Sequence, residues 1–442
     1  MEEAAVQPEE SQVKLAEIFR FHKRETAPAR ESVRAVSALM AACHNLLSER
    51  GEVSGMRLAG EILASYQTLD KTGRDLFFNR LAKEFSPDPE EVGSAGDAYR
   101  KDPSPENLVR LQRAVEPPRQ ELFRRLNVAP GGTRGLVQMR GHLLASRSDS
   151  AQAPIAADLG HLLASWFNRG FLVLQKIDWH TSATVLEKLI QYEAVHQIHG
   201  WRDLRRRLEA DRRCYAFFHP ALPEEPIIFV EAALTQGMSD KVQLLLDPDS
   251  PVAPAESADC ALFYSITNCQ EGLNGIPMGS FLIKQVAEDL GKEFPRIRRF
   301  ATLSPIPGLR AWLQSNVEPE LLAKLEVPGW LDDSKLREEL EERMVPLCAY
   351  YLLRAKRGKE PLDPVARFHL RNGARLERIN WLGDTSSAGL KRSAGLTVNY
   401  LYRLSDLERN HELYTRDYAV AASREIEALV KRAGSLAEPM IH

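Results

Sequence analysis

Three stretches of this sequence hold residues whose type and spacing suit chemistry. In Cys269-Gln270-Glu271-Gly272-Leu273-Asn274-Gly275-Ile276-Pro277-Met278-Gly279-Ser280-Phe281-Leu282-Ile283-Lys284, three glycines fill a loop that feeds into an amphipathic run. Glycine lets the backbone approach a ligand closely, and the N–H groups at a helix N-terminus suit an anion such as a pyrophosphate. The spacing is neither a Walker loop nor G-x-G-x-x-G, so on its own it reads as a tight strand-to-helix turn. In Thr302-Leu303-Ser304-Pro305-Ile306-Pro307-Gly308 a strand ends in a serine, and two prolines stiffen the exit and fix where the hydroxyl points. No G-x-S-x-G elbow occurs in the chain, which argues against an α/β-hydrolase serine. In Asp363-Pro364-Val365-Ala366-Arg367-Phe368-His369-Leu370-Arg371-Asn372-Gly373-Ala374, His369 falls near the end of a short helix beside Asn372-Gly373, a left-handed cap. A lone histidine reads first as structural.

Other clusters carry less. His196 and His199 are three apart, a spacing that sets two imidazoles on one helical face, but no zincin glutamate accompanies them and a solvated or core pair is the simpler reading. Arg202, Arg205, Arg206, Arg207, Arg212 and Arg213 form a basic helix over residues 201–213, interleaved with Asp203, Glu209 and Asp211. That reads as a salt-bridged surface helix, with a phosphate-facing patch as the functional alternative. Cys43, Cys214, Cys260, Cys269 and Cys348 are scattered with no C-x-x-C, so reduced, buried thiols are expected and neither a disulfide framework nor a zinc site. No lysine is flanked by methionines as in a biotin attachment site.

These residues need elements to hold them. Up to about residue 165 the chain reads as helix after helix. Val33, Val36, Met40, Cys43 and Leu47 make one stripe; Phe77, Leu81 and Phe85 make another. Pro89, Pro105 and Pro118 stand where proline opens a helix at its first turn. This is an up-and-down helical bundle. From residue 166 the pattern changes. Strands are expected over 214–219, 226–231, 261–267, 298–303 and 394–402. Helices are expected over 182–195, 201–213, 279–294 and 334–357. The class is α+β, with residues 1–165 as the helical domain and 166–442 as the mixed domain.

Composition bounds the function. At 442 residues the chain is too long for one ordinary core, and 44% hydrophobic with 27% charged residues is that of a globular protein. A formal net charge of −3 gives no global field for a polyanion, so no nucleic-acid partner is expected. No apolar run suits a membrane span, so no membrane partner is expected. The start Met-Glu-Glu-Ala-Ala has neither a basic nor an apolar leader, so the expected location is cytoplasmic.

Several motifs, in order, resemble the malonyl-CoA decarboxylase family. They are Ser165-Trp166-Phe167-Asn168-Arg169-Gly170-Phe171-Leu172; the run from Ser265-Ile266-Thr267-Asn268 to Lys284; Leu303-Ser304-Pro305-Ile306-Pro307-Gly308; Phe368-His369-Leu370, Asn372-Gly373-Ala374 and Arg378-Ile379-Asn380-Trp381; and Gly395-Leu396 with Val398-Asn399-Tyr400 and Tyr402. The resemblance implies an oligomerising N-terminal bundle and a C-terminal N-acetyltransferase-like (GNAT-type) catalytic domain. It implies conversion of malonyl-CoA to acetyl-CoA and CO2 without metal, biotin or other cofactor, in a homo-oligomer, dimer or tetramer. It puts coenzyme A binding on Asn274, Gly275, Ile276, Pro277, Met278, Gly279 and Ser280, a proton-accepting serine at Ser304, a proton-donating histidine at His369, and an active-site tyrosine at Tyr402.

The implied chemistry needs few groups. The carboxylate must leave from outside the thioester plane, the enolate oxygen needs hydrogen-bond donors, and the carbanionic carbon needs a proton. With an ordinary pKa of ~6.5, His369 would hold that proton at neutral pH, and Ser304 would orient the departing carboxylate. The arginine-rich helix would supply charge near the pyrophosphate. Two competing readings are a CoA-dependent N-acyltransferase of the same fold, which needs an acyl acceptor, and a non-enzymatic scaffold with a vestigial site. Turnover of malonyl-CoA without acceptor separates them.

Overall fold

The computed structural model describes residues 27–146, 151–276 and 282–437, and the chain divides into two compact units, Met1–Leu163 and Ala164–His442. The first unit is helical. Its helices are Ala27–Ser48, Glu52–Gln67, Lys71–Glu84, Pro89–Lys101, Pro105–Val115, Pro118–Asn127 and Gly132–Ala145, followed by Ala153–Trp166. Their starts are local chemistry: Asp70, Asp88 and Ser104 each accept a backbone N–H of the first turn, and Pro89, Pro105 and Pro118 fill that turn, where a missing N–H costs nothing. The first helix packs against those at 52–67, 71–84 and 118–127, while 89–101 and 105–115 pair with each other. Its buried stripe is Val36, Leu39, Met40, Cys43 and Leu46. Val33, expected in that stripe, is 42% exposed, because the packed face follows the 3.6-residue period one position round the helix.

The second unit is built on a mixed sheet. In sequence its strands are β1 (Val173–Ile177), β2 (Arg212–Phe218), β3 (Ile228–Thr235), β4 (Cys260–Asn268), β5 (Arg299–Thr302), β6 (Ser304–Pro305), the small ribbon β7 (Lys356–Arg357) and β8 (Glu360–Pro361), β9 (Arg375–Asn380) and β10 (Thr397–Tyr402). The order is β1-β2-β3-β4-β5-β10-β6, with β9 also on β10. Among these strands every pairing is antiparallel except β4 with β5, which the Leu282–Glu293 helix connects; Leu376 of β9 also makes an isolated parallel bridge to Ala422. This is the α+β class expected, a helical region followed by a mixed sheet with helices on its faces. Residues of β2, β3 and β4 are buried on both faces, which is why those strands are rich in apolar residues; β10 is buried too, but its Thr397 and Asn399 alternate with Val398 and Tyr400. Strands β1 and β9 escaped the sequence reading, since their alternation is broken by Gln175, Lys176, Arg375, Glu377 and Arg378.

The parallel pair ends early. Registered residues run only from Cys260 opposite Arg299 to Phe263 opposite Thr302, with the Leu303 N–H still donating to the Phe263 carbonyl at 2.8 Å. Strand β4 then continues to Asn268 beside β3, while the segment from Phe300 to Ser304 stays with β10, Phe300 opposite Tyr402 and Ser304 opposite Val398, and parts from β4. The sheet therefore splits immediately before the serine.

Other expected elements shift. The helix that begins after Ser182 ends at Tyr192, and the basic helix ends at Arg207, so Arg212 and Arg213 belong to β2. No helix among the described residues is long and apolar enough to cross a membrane. The five cysteines are free and buried.

One glycine tests how tightly the histidine's helix is placed. Gly373 has φ of +79° just beyond the Pro364–Arg371 helix, and a Cβ there would lie 2.2 Å from the Leu407 carbonyl oxygen. Gly373→Ala should destabilise this unit by at least about 2 kcal/mol, from left-handed strain and backbone overlap together. A chemical-denaturation midpoint equal to that of the parent protein would show that the contact yields freely.

Candidate active site

Ser304 and His369 are 65 residues apart and meet in the split sheet, with Ser304 Oγ 3.0 Å from His369 Nε2. Each is held from behind. Ser304 donates to Thr302 Oγ1 at 2.8 Å, and the same oxygen accepts the Tyr400 N–H at 3.1 Å. The Thr302 carbonyl accepts from Asn399 Nδ2 at 2.6 Å, and Asn399 in turn accepts from Arg378 and Asn380 through Oδ1. His369 occupies the last turn of its helix, with Nδ1 2.7 Å from the Tyr402 hydroxyl and its ring stacked on Tyr400 at 4.5 Å.

The hydroxyls set the tautomer. Burial drives the Tyr402 pKa far up, so the phenol keeps its proton and donates it to Nδ1. Ser304 has given its hydrogen to Thr302, so it accepts from Nε2–H. The chain runs Tyr402 to His369 to Ser304 to Thr302, with no carboxylate in it.

That absence of a carboxylate decides the charge of the ring. Burial alone lowers the His369 pKa from 6.5 to about 3. The imidazole of the free protein is therefore neutral at neutral pH, which corrects the expectation of a resident proton drawn from the ordinary value. A histidine braced by tyrosine gains no compensation for desolvation, unlike one braced by aspartate.

The pair opens onto a cavity of about 230 Å³ between the parted strands. Phe263, Tyr264, Ser265, Ile266 and Asn268 of β4 form one wall; Ser304, Pro305, Val365, Phe368 and His369 face them, with Val195 and Ile228 nearby. No lysine or arginine is among these lining residues. A wider groove of about 660 Å³ runs beside edge strand β1, past Lys176, His180 and His219, and its lining contains no such serine–histidine pair.

The glycine loop begins at this cavity. Asn268 Nδ2 donates to Asn274 Oδ1 at 2.9 Å, and Gly275 follows with φ of +77°, open on the side where a Cβ would point. Ile276 is buried. Pro277, Met278, Gly279 and Ser280 lie outside the described residues.

The remaining clusters turn out to be structural. Arg206 binds Asp211 at 2.7 and 3.1 Å, Arg207 binds Glu231, Arg212 reaches Asp211 at 2.9 Å, Arg213 reaches Glu293 at 2.7 Å, and Arg202 reaches Asp249 at 2.7 Å. Arg206, Arg207 and Arg212 are buried, so the expected salt-bridged surface helix is salt-bridged but partly core. His196 and His199 lie beyond the helix that ends at Tyr192, so no helical face pairs them, and burial holds the His196 pKa down to about 4. No group of three or more His, Cys, Asp or Glu among the described residues is placed to hold a metal ion. The feature missed in the sequence is Thr302 with the Asn399 and Asn380 network beneath it; polar residues inside an apolar strand were the available signal.

Comparison with known proteins identifies the family. The malonyl-CoA decarboxylase C-terminal domain matches residues 170–438, and the N-terminal domain of the same family matches residues 85–167. The mitochondrial malonyl-CoA decarboxylase of Rattus norvegicus is 36% identical over 395 residues, 79% of this chain and 80% of that one. That of Anser anser anser is 36% identical over 359 residues, 73% and 71% of the two chains. Crystal structures of malonyl-CoA decarboxylase from Rhodopseudomonas palustris and Agrobacterium vitis are similar at TM-scores of 0.86 and 0.84, with 47% and 46% identity, each covering 89% of this chain and 99% of the other. With both domains matched and most of its length aligned, this chain belongs to the malonyl-CoA decarboxylase family.

Proposed function

We propose that this chain releases CO2 from malonyl-CoA by enolate formation and protonation, using Ser304 and His369 and needing no metal or biotin. The observation that carries the reading is the hydrogen-bonded pair at the wall of a small, largely apolar cavity in the split sheet. The coenzyme's pyrophosphate is assigned to residues 274–280, through backbone N–H groups. The Asn268–Asn274 contact supports this, because it joins that loop to the wall.

The walls favour loss of the carboxylate. A cation beside it would stabilise the reactant as much as it helped binding, whereas apolar contacts strip its water and leave a charge that is relieved by moving onto the thioester oxygen. Ser304 orients the departing group by turning its hydroxyl from Thr302 toward the carboxylate.

The proton balance follows. Malonyl-CoA, with its carboxylate ionised, takes up one proton to become acetyl-CoA and CO2. His369 is neutral in the free protein, so it gains its proton when the substrate's negative charge enters the cavity and raises its pKa. Both ring nitrogens then donate, Nδ1 to the Tyr402 oxygen and Nε2 toward the cavity. Tyr402 makes this change by turning its hydroxyl, and the C–C bond of the departing carboxylate is replaced by a C–H bond from His369.

Replacing either partner removes a group needed in the transition state. His369→Ala and Ser304→Ala should each lower kcat for malonyl-CoA at least about 10²-fold in a folded protein. Near-normal turnover in one variant would remove that residue from the mechanism. The proton uptake has its own signature. Ser304→Ala should take up about one proton on binding malonyl-CoA at pH 7 and none on binding acetyl-CoA, measured by calorimetry in two buffers of different ionisation enthalpy. Because the free imidazole titrates far below neutral, affinity for malonyl-CoA should weaken as pH rises toward the pKa reached in the complex and level off above it. Equal uptake with the two esters would rule out a proton that arrives with the carboxylate.

A further inference from the structure

We propose that Asp363 is a positioning residue whose single carboxylate ties the segment carrying Ser304 to the helix carrying His369; this rests on the serine–histidine reading above. Asp363 is fully buried, at 0% exposure. Its Oδ1 accepts the N–H groups of Val365 and Ala366, both at 2.9 Å, and so caps the helix that presents His369 six residues on. Its Oδ2 accepts from the Tyr351 hydroxyl at 3.3 Å and, in a longer contact, from the Gly308 N–H at 3.5 Å.

Gly308 closes the Pro305-Ile306-Pro307 run that leaves Ser304. Two prolines fix two of the intervening φ angles, so the position of Gly308 is passed back to the serine with little slack. The packing there is close: a Cβ on Gly308 would lie 2.2 Å from the Tyr351 hydroxyl and 3.7 Å from Asp363 Oδ2.

Capping alone does not explain an aspartate. Serine or asparagine caps a helix as well, and neither brings a buried carboxylate with its desolvation cost. Burial does push the Asp363 pKa up, while the four donors around it oppose the shift. What the carboxylate adds is a second acceptor oxygen, and that oxygen faces the other half of the site.

The test separates the two oxygens. Asp363→Asn and Asp363→Ser both keep a capping acceptor, and both lose the acceptor that faces Gly308 and Tyr351. Each should lower kcat for malonyl-CoA about 10- to 100-fold, while KM and the affinity for free coenzyme A stay within about twofold and the unfolding midpoint stays near that of the parent. Asp333→Asn is the control. Asp333 caps the Ser334–Arg354 helix through Lys335 and Leu336, away from the cavity lining, and its variant should leave kcat unchanged. Unchanged kcat in both Asp363 variants would reduce the residue to a helix cap. Parallel losses of kcat, coenzyme affinity and stability, or no folded protein in either variant, would assign it to folding and overturn the proposal. Failure of the underlying reading would look different: Ser304→Ala and His369→Ala would then turn over normally in the parent background.

Discussion

Strand β4 loses its parallel neighbour after Phe263, and the site depends on that parting. A continuous sheet would fill this position with paired backbone and interlocked side chains. Where the strands separate, one edge of β4 is left beside a cavity, and Ser304 stays with β10 in the register that β5 already keeps. The split also explains why the polar residues are so heavily braced. Thr302, Asn399, Asn380 and Arg378 form a continuous hydrogen-bonded layer beneath the serine, which replaces the ladder interrupted there. The register of β9 with β10 shifts between Asn399 and Tyr400, in the same region.

Buried charge is handled in two ways within this unit. Away from the cavity it is matched: Arg206 and Arg212 share Asp211, and Arg207 holds Glu231, whose pKa burial nevertheless raises to about 7. Directly against the His369 ring the chain supplies hydroxyls and aromatic rings instead, and the histidine is left neutral. A neutral, desolvated imidazole responds strongly to one added charge, since the interaction is weakly screened. The same surroundings that suppress its proton in the free protein let a single carboxylate restore it. A carboxylate brace in place of Tyr402 would keep the ring charged permanently and couple it less closely to its substrate.

Much of this was legible in the sequence. Helical stripes, proline openings and the change of pattern near residue 166 followed from periodicities and caps, which act over one or two turns and need no distant partner. The serine followed by two prolines and the histidine near a glycine cap stood out as candidates for the same reason, because their neighbours constrain them locally. Strands β1 and β9 did not, since they gain their place from pairing, and their own side chains are too mixed to announce it. The arginine run misled because charge spacing along a chain does not reveal depth; the carboxylates that bury it come from β3 and from the turn before β2.

What the sequence determined by itself was therefore a set of parts: the helices of the first unit, strands β2, β3, β4, β5 and β10, and Ser304 and His369 as candidates. Three things only the tertiary structure decided. It brought Ser304 within 3.0 Å of His369, it chose hydroxyls rather than a carboxylate to brace the ring, and it fixed the protonation state of the imidazole. All three depend on which groups surround a buried atom, and that is set by the packing of segments tens of residues apart, which no local spacing encodes.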